Sequence, residues 1–193
     1  YSANSTSIIV DIGKATSDLK SNITDHIYGE NTTVKVNVTG VAGTDLSGNV
    51  TVTIDGAIWN GAVDSDGIGE VIISGLAAGN HTVDVKYLGN NNYTEANTTV
   101  RFNIAKANAS VVGFIANVTF GENATVKINV TGVSGTDLSG NVTVTIDGAI
   151  WDGVVDSDGI GEVVVSGLAA GNHTADVKYL GNNNYTEANT TVR

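Results

Sequence analysis

The chain has 193 residues, 41% of them apolar, with 20 Asp and Glu against nine Lys and Arg and a net charge of −11. That balance describes a foldable polypeptide with an acidic surface, which excludes a disordered chain and disfavours nucleic acid as a partner, because its phosphate backbone would be repelled. The absence of Cys removes disulfides, thiolate nucleophiles and Cys-ligated zinc. No apolar run nears the roughly 18 residues of a membrane span.

Along the chain the apolar period is two, the signature of half-buried strands. Ile8-Ile9-Val10-Asp11-Ile12 offers a strand-like run, while Lys14 to Asp25 shows no clear period. Then follow Val34, Val36 and Val38; Val50, Val52 and Ile54; Val71 and Ile73; Val83, Val85 and Tyr87; and Val100, Phe102 and Ile104. Breaks at Gly40, Gly48, Asp55-Gly56, Asp66-Gly67, Gly75, Gly79 and Gly89 separate these runs. From Tyr28 to Arg101 the sequence then returns as Phe120 to Arg193 at an offset of 92 (120 − 28), and only nine of those 74 positions differ. The phase extends outward, since Ile8, Val10, Ile12 and Lys14 answer to Val100, Phe102, Ile104 and Lys106. About seven strands per repeat, with turns roughly every ten residues, predict an all-β chain of tandem antiparallel Ig-like β-sandwiches. The repetition reads as a window cut from a longer tandem array.

Several runs carry a family resemblance. Leu76-Ala-Ala-Gly79-Asn80-His81, Tyr87-Leu-Gly89-Asn-Asn-Asn-Tyr93, Gly29-Glu30-Asn31 and Gly48-Asn49-Val50 to Asp55-Gly56 resemble the group 3 bacterial Ig-like domain. The variant Tyr87 to Tyr93 is similar to tandem repeats of adhesin-like surface proteins in methanogenic archaea. Where many relatives carry Pro ahead of the Gly-x-Val strand, this chain has Asp45-Leu-Ser-Gly48. The resemblance implies that the strand after Tyr93 closes its domain. On that frame residues 1–13 are the closing strand of a preceding repeat, 14–105 the first Ig-like domain, and 106–193 the second, lacking most of its closing strand. Ile8, Val10 and Ile12 are then expected outside the core of residues 15–104. The equivalent groove of an adjacent copy would take them, within a continuing fibre or by strand donation between subunits. Because no Pro or Gly lies between Ile104 and Ser110, neighbouring units are expected to follow one another end to end.

Asparagine context is the strongest chemical signal. Sixteen of the 22 Asn stand in Asn-x-Ser/Thr: Asn4, Asn22, Asn31, Asn37, Asn49, Asn80, Asn92, Asn97, Asn108, Asn117, Asn123, Asn129, Asn141, Asn172, Asn184 and Asn189. With 36 Ser and Thr in 193 residues, chance would supply about four such sites, so the pattern marks these Asn as candidate N-glycan acceptors. Asn37, Asn49, Asn80 and Asn97 also have the outward parity of their strands. The plainer alternative is that Asn and Thr simply decorate exposed strand faces.

Asp64, Asp66 and Glu70, repeated as Asp156, Asp158 and Glu162, are candidate calcium ligands, although the EF-hand's fifth-position donor and distant Glu are missing. An Asp-x-Asp-Gly hairpin turn explains them without metal, and no other cofactor is indicated. Trp59 and Trp151 suit core or domain-edge packing, or sugar stacking if exposed. His81 and His173 read as strand-edge residues. Lys14 and Lys106 have inward parity, which would suit an isopeptide cross-link. No nucleophile, base and oxyanion donors are gathered at any spacing that suggests catalysis.

Three functions follow from these readings. One is a non-catalytic structural repeat of an extracellular, heavily N-glycosylated surface protein, whose units join end to end as a stalk or filament, with neighbouring copies and its own glycans as partners. Another is an adhesive module that engages glycans or other cells. The last is a spacer in a larger secreted enzyme.

Overall fold

The computed structural model describes residues 6–193; Asn4, among the candidate acceptors, lies outside them. The described residues form fifteen strands and no helix. The first repeat carries β1 (Asp18–Asn22), β2 (His26–Ile27), β3 (Thr32–Thr39), β4 (Gly48–Ile54), β5 (Ala57–Val63), β6 (Ile68–Ile73), β7 (Gly79–Tyr87) and β8 (Ala96–Ala105). The second carries β9 (Ser110–Ile115), β10 (Ala124–Thr131), β11 (Gly140–Ile146), β12 (Ala149–Val155), β13 (Ile160–Val165), β14 (Ala175–Tyr179) and β15 (Ala188–Val192). The segment with no clear period thus contains a strand, β1, whose inward face offers only Leu19 as a buried apolar residue.

Each repeat is a two-layer sandwich. In the first, a sheet of order β1-β3-β6 faces one of order β2-β8-β7-β4-β5; in the second, β13-β10-β9 faces β12-β11-β14-β15. The alternation read from the sequence becomes the layering of the core: Val34, Val36, Val38, Val71 and Ile73 from one sheet face Val50, Val52, Ile54, Val83, Val85, Tyr87, Phe102 and Ile104 from the other, all buried. By compactness the chain divides into two units. One comprises Thr32–Ile73 and His81–Phe102 with the segment up to Thr24; the other comprises Asp25–Asn31, Ser74–Asn80 and Asn103–Arg193.

Turn chemistry fixes the register. Asp55 and Gly56 join β4 to β5 with φ of 50° and 85°, the two consecutive positive values that a two-residue type I′ hairpin requires. Asp147 and Gly148 repeat this. The Asp64-to-Gly67 turn departs from expectation. It is not a hairpin within one sheet, because β6 pairs with β3 and not with β5; it is a corner carrying the chain from one sheet to the other. Asp64 Oδ1 accepts the N–H groups of Asp66 and Ile68 at 3.0 and 2.9 Å, which holds the corner closed.

The tyrosines of the repeated motif anchor the loops. Tyr93 is buried, and its hydroxyl accepts the Val41 N–H at 2.9 Å and also meets Thr44 Oγ1. The Tyr87 hydroxyl donates to Leu46 O at 3.0 Å; burial raises its phenol above the ordinary range, with the nearby Asp45 charge adding to the effect. Asp45 Oδ1 accepts the Ser47 N–H at 2.8 Å, and that bond holds its carboxyl below the usual value. A side-chain turn therefore fixes the chain ahead of β4.

Two assignments of side-chain placement need correction. Lys14 and Lys106 are exposed, and their Nζ atoms donate to the backbone carbonyls of Asn90 and Asn182, each at 2.7 Å; each ammonium is held by a main-chain oxygen outside the core. His81 is not a strand-edge residue. It shares the inward parity of Val83, Val85 and Tyr87 on β7, is 7% exposed, stacks on the Phe102 ring at 5.3 Å, and bonds through Nδ1 to Asp55 at 2.7 Å.

Candidate functional site

The residues the sequence singles out lie on the outward faces, so the candidate site is a surface and not a cleft. Of the fifteen candidate acceptors within the described residues, Asn184 alone is half-buried, and the other fourteen are exposed. They occupy both sheets. Asn37 and Asn129 sit mid-strand on β3 and β10, Asn49 and Asn141 open β4 and β11, and Asn97 and Asn189 lie on β8 and β15. Strand alternation produces this, because each of these Asn stands between inward-pointing neighbours.

Asparagines whose amide nitrogens donate to loops are a different set. Asn90 Nδ2 donates to Asp45 O and Ser47 O at 3.2 and 2.9 Å, while its Oδ1 accepts the N–H groups of Asn92 and Tyr93 at 2.8 and 3.0 Å. Asn182 repeats all four bonds in the second repeat. Asn103 Nδ2 donates to Gly79 O and Asn80 Oδ1 at 3.3 and 2.9 Å. Asn90, Asn182 and Asn103 are half-buried and have no Ser or Thr two residues on. A side chain whose amide nitrogen holds a loop together cannot also carry a glycan there, and the sequence keeps the two uses apart.

The candidate calcium ligands are not brought together. Asp64 is occupied by its own turn, and Glu70 lies on β6 with its carboxylate 4.0 Å from Lys35 Nζ. In the second repeat Asp156 and Glu162 repeat the arrangement, with Glu162 4.0 Å from Lys127. Among the described residues no cluster of three His, Asp or Glu side chains could hold a metal ion. Trp59 and Trp151 are half-buried, and Trp151 packs against the second core. Among the described residues no helix is long and apolar enough to cross a membrane.

One end of the second sandwich differs from the same end of the first. In the first repeat Phe102 and Ile104 of β8 are buried, the Asn103 N–H donates to Asp25 Oδ1 at 2.7 Å, and Ile104 and Ala105 pair with His26 and Ile27. In the second, β14 begins at Ala175, whereas its counterpart β7 begins at Gly79. A space of about 580 Å³ opens beside Ile115, Phe120, Leu168, His173 and Arg193. His173, the counterpart of His81, is correspondingly more open, at 20% against 7% side-chain exposure. A hydrogen bond to Ala169 O, and a second from its Nδ1 to Asp147 at 2.6 Å, raise its pKa above the ordinary 6.5. Ile8, Val10 and Ile12 are 84%, 75% and 88% exposed and take no part in the core.

Comparison with known proteins agrees with this architecture. The pattern of the bacterial Ig-like domain (group 3) matches residues 19–105 and again 115–193. No curated protein matches. Among solved structures, the chain is similar to invasin, a bacterial integrin-binding protein, at 17% identity and a TM-score of 0.58, covering 91% of this chain and 38% of that one. It is also similar to the Yersinia pseudotuberculosis adhesin InvE at 16% identity and a TM-score of 0.51, covering 93% of this chain and 57% of that one. A two-domain fibronectin type III segment of chicken tenascin gives 13% identity and a TM-score of 0.54, over 90% of this chain and 97% of that one. The chain thus spans less than two thirds of either bacterial protein, and at these identities the likeness is one of fold. Ig-like and fibronectin-like domains of this kind are structural or binding modules. With both of its repeats matched in sequence and folded as two-layer sandwiches, the chain belongs to the bacterial Ig-like domain (group 3) family.

Proposed function

We propose that the chain is a non-catalytic structural repeat of an extracellular, heavily N-glycosylated, adhesin-like surface protein, whose Ig-like units follow one another end to end as a stalk or filament. The observation that carries this is the segregation of asparagines: fourteen of fifteen candidate acceptors are exposed, while Asn90, Asn103 and Asn182, whose amide nitrogens hold loops, lack the Ser or Thr. Near-identity of the repeats supports the structural reading, since a rod reuses one part many times and a specific binding site is needed once. The surface location draws on the fold shared with invasin and InvE.

Strand donation between neighbouring units belongs to this reading: Val10 and Ile12 are exposed and stand one period upstream of the buried Phe102 and Ile104 (102 − 92 = 10).

Glycopeptide mass spectrometry on protein from its native source tests the central claim. Sugar is expected on Asn37, Asn49, Asn97, Asn129, Asn141 and Asn189; finding all six unmodified would refute it.

A further inference from the structure

The repeats differ most where β1 and β9 form an edge strand. Asp18, Lys20 and Asn22 are the outward residues of β1; at the same positions of β9 stand Ser110, Val112 and Phe114. One edge is therefore polar and the other apolar, although the strands beside them are nearly identical. On the outer face of the second repeat's sheet, Val112 and Phe114 are 57% and 63% exposed, and Ile160 and Val164 of β13 are 50% and 56% exposed. An exposed apolar edge strand is a liability for self-association unless something covers it.

The register shows what stands among these residues. Asn129 is paired directly with Val112 on one side and with Ile160 on the other, and Lys127 with Phe114 and Glu162. Phe114 is thus the diagonal cross-strand neighbour of Asn129, a separation of roughly 7 Å that an aromatic side chain spans. In the first repeat the diagonal neighbour of Asn37 is Asn22, itself a candidate acceptor. Where the first repeat can place a second sugar, the second repeat places an aromatic ring.

We infer that a glycan on Asn129 folds back over Val112, Ile160 and Phe114, with its first sugar packed on the Phe114 ring, so that the chain's own modification covers its apolar face. The inference rests on the glycosylation reading above. The apolar C–H face of a pyranose suits a phenyl ring as an amphipathic partner, and the neighbouring Lys127 and Glu162 supply charged groups within reach of sugar hydroxyls.

The test uses the 193-residue chain secreted from an N-glycosylating host, compared before and after enzymatic removal of glycans, with Thr131→Ala removing the Asn129 acceptor alone. Hydroxyl-radical footprinting is expected to show Phe114 oxidised about threefold more slowly when Asn129 is glycosylated. The thermal midpoint of the second repeat should rise by about 3 to 6 °C with that glycan, as expected for a single stacking contact in a domain of this size, and the increment should vanish in Phe114→Ser. Glycan present on Asn129 with equal Phe114 oxidation in both forms overturns the inference and leaves the glycosylation reading standing. Absence of sugar on Asn129 in a host that glycosylates the other acceptors overturns both at this position.

Discussion

Gly67 and Gly75 have the same backbone conformation and different surroundings, so replacing each with Ala separates two effects. Their φ values are 79° and 78°. A Cβ at Gly75 would meet nothing within 4 Å, whereas one at Gly67 would lie 2.1 Å from Val38 O and 3.3 Å from Leu46 Cδ1. The left-handed conformation costs Ala about 1–2 kcal/mol, and the stiffer unfolded chain returns about 0.4–1 kcal/mol, so Gly75→Ala should destabilise by roughly 1 kcal/mol or less. Gly67→Ala must in addition push the corner away from β3. That strains the Val38 N–H bond to Gly67 O, at 2.8 Å, and the Gly67 N–H bond to Asp64 O, at 3.0 Å. At about 1 kcal/mol for each bond, plus the cost of displacing Leu46, the total reaches about 3 kcal/mol or more. In a Trp151→Phe background, Trp59 fluorescence follows the first repeat alone. With a urea m value of about 1.5 kcal/mol/M, the Gly67→Ala midpoint should fall about 2 M, and the Gly75→Ala midpoint well under 1 M. Equal midpoints would show that φ alone sets the cost and that the approach to Val38 has no bearing on stability.

Ile54, buried at 0% exposure, should cost about 2–5 kcal/mol on replacement by Ala, read by the same Trp59 transition. Tyr93→Phe leaves the Val41 N–H without its acceptor and should cost about 1–3 kcal/mol, while amide exchange at Val41 accelerates. His173 has a raised folded-state pKa, so the stability it contributes is full below its unfolded value of 6.5 and is lost as pH rises through the folded value. The Trp151 transition should therefore shift to lower urea as pH rises from below 6.5 through the raised folded-state value, and His173→Gln should remove that part of the dependence. Val10→Phe supplies the ring that Phe102 provides in the first repeat, so it should strengthen concentration-dependent association of the 193-residue chain in sedimentation velocity; Val10→Asp should weaken it.

Sheet architecture was legible because parity alone separates core from surface: Val34, Val36 and Val38 point in, and Lys35 and Asn37 point out. The β1 strand escaped because Asp18 and Lys20 flank a single buried Leu19, which leaves no period to see. His81 was misassigned through its residue type, although its alternation with Val83, Val85 and Tyr87 already placed it inside; a ring with a carboxylate at one nitrogen and an aromatic face beside it is satisfied there. The Asp64 turn has hairpin composition, and only the long-range pairing of β6 with β3 reveals a corner. The apolar face around Asn129 could not be read from the sequence, because it depends on strands 110–115 and 160–165 flanking the same central strand.

The equivalence of the two registers bears on how such a chain reaches its native state. Val34 pairs with Val71, and Val126 with Val163; the sequences flanking these contacts are nearly interchangeable. A chain released from denaturant can close β3 on β13 as readily as on β6 at the level of local chemistry, giving interleaved, kinetically trapped sandwiches. Vectorial synthesis removes that ambiguity, since the first repeat has all its partners before the second emerges. The edge strands β1 and β9 are where the two sandwiches differ in sequence, so they are the elements that distinguish one set of neighbours from the other. Refolding from denaturant is expected to be slow and to yield swapped strands, the kinetic cost of building from near-copies.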